Sequence, residues 1–132
     1  MYKLPDKLID ILTSDDIKIS EDDKSAYVEL SFFSPEGQEC SLSIEKWNNI
    51  ECFCDNVYDY YDNFDVSYET YLWLDSDGHG SNGAPYDMKD VYEDMAWCQN
   101  KIYDIYLAVY KYIVCWIQWM YRRWRLKIKP IF

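Results

Sequence analysis

Histidine occurs once in the 132 residues, at position 79, and neither a nucleophile elbow nor a phosphate-binding loop accompanies it. A Ser-His-Asp or Cys-His arrangement would have to use that one imidazole, with partners brought to it by the fold. The chain therefore reads as non-enzymatic. Lysine and arginine are missing altogether between Trp47 and Met88, a stretch of 42 residues that holds nine carboxylates. Cysteine is present five times (Cys40, Cys52, Cys54, Cys98, Cys115), an odd number at irregular spacings, and "MYKLPDKLIDIL" has no secretory n-region or h-region. These features point to reduced thiols in a cytosol, where buried free cysteine behaves as a small hydrophobe. Cys52 and Cys54, two apart, point to different sides of a helix and do not close a tetrahedral zinc site with a single histidine. No metal and no cofactor is expected.

What is present is apolar and acidic. A hydrophobic share of 49% in 132 residues is enough for one domain without disulfides or metal to staple it, so residues 1–132 are read as a single domain. The 24 acids against 13 bases give a net charge of -11 and a pI near 4.3. Such a balance repels phosphate and anionic lipid and attracts basic protein surfaces, which disfavours direct nucleic-acid binding. The bases are unevenly placed. Arg122, Arg123, Arg125, Lys127 and Lys129 supply five of the 13, so residues 1–121 carry 8 minus 24, or -16, and 122–132 form a basic C-terminal tail.

Turn chemistry divides the chain. "LPDKLIDIL" places Pro5 where a first helical turn tolerates it, with Leu8, Ile9, Ile11 and Leu12 along one side, and predicts a short N-terminal helix. "DIKIS", "SAYVELSFFS" and "QECSLSIEK" are β-rich runs separated by "EDDK" and "PEG", a three-stranded antiparallel meander. In the third run Cys40, Leu42 and Ile44 alternate with Ser41, Ser43 and Glu45. The period then becomes helical, with Ile50, Phe53, Val57, Tyr61 and Phe64 three or four apart, and "DVSYETYLWL" follows as a short helix capped by Asp65. After "DSDGHGSNGAPYD", a loop, the seam Met88, Val91, Met95, Cys98, Ile102, Ile105, Val109, Tyr112, Trp116 and Trp119 alternates threes and fours over a helix spanning 86–121. The fold class is α+β, a three-stranded antiparallel sheet packed by helices in the order α-β-β-β-α-α-α, ending in a long C-terminal helix. Val28, Leu30, Phe32, Leu42 and Ile44 should face the helical seam.

The loop Asp75, Asp77, His79, Gly80 has the start of a calcium-binding loop, but His79 at position five and Tyr86 at position twelve depart from that pattern; a Gly-rich turn is the plainer reading. "IYLAVYKYIVCWIQWMY" approaches membrane-span length, but Lys111 at its middle and its aromatic content favour a core helix whose end contacts a partner or a second copy. A helix of some 36 residues runs about 54 Å against about 20 Å for a strand, so part of the seam outlasts the sheet. Tyr112, Trp116 and Trp119 are the residues expected to carry self-association, as in a homodimer.

"DNVYDYYDNFD", residues 55–65, sets four aspartates among four aromatics. Glu51, Asp55, Asp59 and Asp62 recur three or four apart on the side opposite the apolar stripe, a spacing that costs helix stability by a few tenths of a kcal/mol per pair. An acidic helix face serves solubility by itself. Near-regular carboxylates, interleaved tyrosines able to pack on arginine planes and the missing bases favour a different use, occupying a groove that normally holds phosphates. The expected partner-binding residues are Glu51, Asp55, Tyr58, Asp59, Asp62, Asp65, Glu69, Asp75 and Asp77.

In its small size, pI, layout and segments such as "YDYYDNFDVSYETYLWLDSDGHGSNGAPYDM", the chain resembles small acidic proteins carried by phages and mobile elements of Firmicutes, a group that includes anti-CRISPR inhibitors. The resemblance spans roughly residues 15–115 and assigns no individual binding residue. It implies an inhibitor in the host cytoplasm that binds a basic nucleic-acid-binding protein, an RNA-guided nuclease among them. The basic tail after Tyr121 departs from the uniformly acidic pattern of a DNA mimic.

Overall fold

A computed structural model describes residues 3–22, 24–46, 49–76 and 87–127, the side chains of 76 and 124–127 excepted. The elements follow in the expected order: α1 (Asp6–Thr13), β1 (Lys18–Glu21), β2 (Tyr27–Phe33), β3 (Glu39–Glu45), α2 (Ile50–Asp62), α3 (Val66–Ser76) and α4 (Met88–Lys127). The fold is α+β, with one antiparallel sheet in the order β1-β2-β3 and four helices among the described residues.

Period-two alternation fixes the sheet's faces. Val28 pairs with Ile44, Leu30 with Leu42 and Phe32 with Cys40, while Glu29 pairs with Ser43 and Ser31 with Ser41 on the other face. Val28, Leu30, Phe32, Leu42 and Ile44 are buried, as expected, in one core with Val91, Met95, Cys98, Ile102, Ile105 and Val109 of α4. Phe53, Cys54 and Val57 of α2 and Leu4, Leu8 and Leu12 at the N-terminal end join that core.

The β2–β3 turn is fastened to α4. Gly37 adopts φ +86, a conformation that costs glycine nothing, and its N–H donates to the Ser34 carbonyl at 2.9 Å. The Ser34 hydroxyl accepts from Gln38 N–H at 2.9 Å and donates to Asp94 Oδ2 at 2.5 Å, and Glu36 N–H donates to Asp94 Oδ1 at 3.3 Å. Asp94 is thus buried but satisfied.

The long helix divides into an embedded part and an overhang. Forty residues rise about 60 Å, whereas the buried seam from Val91 to Val109 covers only about 27 Å, close to the length of the strands it crosses. Met88 is exposed at one end. Tyr112 is half-buried at the other, and Trp116 and Trp119 are 52% and 54% exposed. The helix does not stop at residue 121 but runs through Lys127, so the first six residues of the basic segment continue it.

Candidate acidic interaction surface

α2 is capped by Asn49, whose side chain accepts from Cys52 N–H at 2.8 Å. Its buried line, Phe53, Cys54 and Val57, leaves Glu51, Asp55 and Asp62 exposed on the far side. Asp59 is exposed on the same side and also borders the sheet. It shares a hollow of about 450 Å³ with Glu45 of β3 and Glu69 of α3. A second hollow of about 400 Å³ is bordered by Glu39, Glu69 and Asp75. Tyr60, Phe64 and Glu69 belong to both, so the two adjoin as a groove along β3, whose lining among the described residues has five carboxylates and no lysine or arginine.

The ion pairs among the described residues lie elsewhere, Lys46 with Glu21 and Lys101 with Asp15, each at 3.0 Å. Lys46 follows Glu45 directly, but its ammonium is buried against Glu21 and leaves the groove's field uncompensated.

Titratable groups beside the groove are shifted chiefly by burial and hydrogen bonding, with Glu69 a lesser contributor. Burial raises the Tyr60 phenol above its ordinary range, with the charges of Cys40 and Glu69 adding to it. The Cys40 thiol is lowered by its hydrogen bond with Cys98; Cys98 is pushed up by the same bond, then by burial and by the charges of Cys40, Asp94 and Glu69. At the groove's end the Tyr27 hydroxyl donates to Glu45 Oε1 at 3.1 Å, and that bond raises the phenol.

The expected residues are distributed as follows. Glu51, Asp55 and Asp62 form the outward row, and Asp59, Glu69 and Asp75 line the groove. Asp65 caps α3, accepting from Tyr68 N–H at 3.1 Å. Tyr58 turns toward α4, packing on Tyr61 at 5.9 Å and Tyr106 at 5.0 Å while staying 40% exposed. It belongs to a tyrosine ladder that continues through Tyr103 and Tyr110, so its ring stiffens the α2–α4 contact. Asp77, His79, Gly80 and Tyr86 lie outside the described residues. Glu39 and Glu45 were not among the expected residues. The alternation of β3 had placed Glu45 on the outer face, which was its one signal.

No group of three or more His, Cys, Asp or Glu among the described residues is arranged to hold a metal ion, and no described helix is long and apolar enough to cross a membrane. Comparison with known proteins finds no matching family, no similar curated protein and no similar solved structure. The surface therefore has to be interpreted from its own chemistry.

Proposed function

We propose that this protein is a non-enzymatic acidic inhibitor that docks on a basic, nucleic-acid-binding groove of a partner protein, an RNA-guided nuclease being the class that the anti-CRISPR resemblance puts first. The observation that supports this is the clustering of acids on one flank. Five carboxylates line the β3 groove, Glu51, Asp55 and Asp62 stand on the adjoining helix, and no base lines the groove. Consecutive charges four residues apart on a helix stand about 6 Å apart along its axis. A nucleic-acid strand carries a phosphate about every 3.4 Å, so one helix row is roughly half as dense and the groove carboxylates add to it. Lysines and arginines that hold phosphates would bind such carboxylates through the same charge-assisted hydrogen bonds.

The test is charge reversal. Asp55→Lys, Asp59→Lys and Asp62→Lys together should abolish capture and inhibition of a candidate nuclease while leaving the melting temperature close to that of wild type, because these side chains are exposed and mutually repelling. Glu45→Lys with Glu69→Lys should do the same from the groove side. Equal inhibition by wild type and both variants would mean that the acids only solvate the protein. A self-associating module is the second reading, favoured by the exposed tryptophans of the α4 overhang.

A further inference from the structure

A hollow of about 900 Å³ lies between α1 and α4, on the side of α4 away from the acidic groove. Its apolar wall is Ile11, Leu107, Ala108, Tyr112, Trp116 and Trp119, and its charged residues are Lys7, Asp15, Asp104 and Lys111, with Asp15 already paired to Lys101. Ile117, Met120 and Tyr121 of α4 are exposed together with the two tryptophans. On the overhang Arg122 and Arg123 are both exposed, with the Arg123 guanidinium 5.3 Å from the Trp119 ring centre.

We propose that this face binds a second copy of the chain, the two α4 helices running antiparallel about a two-fold axis at Ile113. The assignment rests on self-complementarity. A two-fold at 113 sets each residue 113+n against 113−n of the other copy, which places Arg122 opposite Asp104, Trp119 opposite Leu107, and Cys115 opposite Lys111. Arg122 of each overhang then lies over Asp104 of the other copy, and each Trp119 enters the apolar wall beside α1. The stripe 104, 108, 111, 115, 119, 122 keeps the spacing of three and four that a helix needs to hold one face to a partner. Ala108 and Cys115, small and near the axis, let the helices approach closely. Lys111 can lay its methylene stem along the apolar surface and keep its ammonium in water.

Each copy carries -11 overall, so the attraction is local: Arg122 of each copy meets Asp104 of the other, a reciprocal pairing of the kind an isologous interface requires. Half-exposed tryptophans contribute about 100 Å² each, and with the groove wall the burial reaches several hundred Å² per copy, toward the roughly 800 Å² of a standard interface. Assembly should therefore vary with concentration.

The experiment is sedimentation equilibrium of the full chain from low to several hundred micromolar, for wild type, Asp104→Arg, Arg122→Asp, the double swap and Trp119→Glu, with circular dichroism of each. All these side chains lie outside the core, so the variants should keep wild-type helix content. A wild-type dimer is expected, with Trp119→Glu monomeric, each single swap weakening association by about tenfold or more and the double swap recovering most of the loss. A strictly monomeric wild type would overturn the proposal, as would association indifferent to both single swaps. Co-sedimentation of monomers with phosphatidylglycerol vesicles, without dimerisation, would overturn it in favour of a lipid-binding overhang.

Discussion

Replacing Lys46 by methionine should cost far more stability than its single ion pair would cost on a surface. The side chain is fully buried, and its ammonium donates to Glu21 Oε2 at 3.0 Å and to the Asp22 carbonyl at 3.2 Å. Glu21 in turn accepts from Leu4 N–H at 2.8 Å, while its Oε1 has no partner. One charge pair thus ties the N-terminal segment, the end of β1 and the end of β3 together. Methionine keeps most of the lysine's volume but leaves a carboxylate, 7% exposed, with the Leu4 N–H as its remaining hydrogen-bond donor. Stranding one charge of a buried pair costs about 3–5 kcal/mol. Against a total stability of about 5–15 kcal/mol this is a large fraction. Removing both charges in Glu21→Met with Lys46→Met forfeits the hydrogen bonds made by Leu4 N–H and the Asp22 carbonyl, about 2 kcal/mol together, so the double variant should be more stable than Lys46→Met alone. Urea denaturation of wild type, both single variants and the double variant at pH 7 measures this directly. A deficit below about 1 kcal/mol for Lys46→Met, or a double variant as destabilised as the sum of the singles, would refute the reasoning, since either result is what an exposed or weakly coupled pair gives.

Asp94→Ala should destabilise by about 2–3 kcal/mol in the same assay, because it leaves the buried Ser34 hydroxyl and the Glu36 N–H without their shared acceptor. The Cys54 thiol is pushed up from 9.0 to about 11, first by burial and then by the charges of Asp55 and Glu51. Its contribution to stability is complete below pH 9 and is lost as pH rises through 11, of order 2 kcal/mol, so Cys54→Ala should flatten the alkaline arm of stability against pH measured by thermal melts. Association with a basic partner should weaken steadily with added salt in equilibrium binding measurements, because the charges concerned are exposed and screened within about a Debye length.

The order of elements was legible because each boundary carries its own chemistry. The spacing of apolar residues changes from two to three or four after Glu45, and Asp65 and Asn49 are residues whose side chains cap helices. The end of α4 was misplaced because the change from acidic to basic residues after Tyr121 was given the meaning of a boundary. Charge does not end a helix, and no glycine or proline occurs between Met88 and Lys127. Bases in a last turn complement the helix dipole instead. The groove was only half legible. Asp59, Glu69 and Asp75 come from one acidic run, but Glu39 and Glu45 lie on a strand before it and join them only once α2 packs on β3. Nor does a helical wheel show that Tyr58 leans on Tyr106, since that contact belongs to two helices far apart in sequence.

Taken together, the two surfaces make a further claim about how the molecule works. α1 packs beside β1 and α2 beside β3, so the tryptophan groove and the acidic groove occupy opposite edges of the sheet. A dimer formed through α4 would leave both acidic grooves open and present them as a pair. Binding to a partner that displays two basic grooves, or to partners fixed densely on a surface, should then gain avidity that a single groove lacks. Trp119→Glu separates the two contributions: as a monomer with its acids intact it should bind a sparsely immobilised partner as wild type does, and a densely immobilised one at least about tenfold less tightly. The Asp55, Asp59 and Asp62 to lysine variant should fail at both densities. If Trp119→Glu matched wild type at high density, the dimer would have no part in binding, and if it failed at low density as well, the overhang itself would be touching the partner.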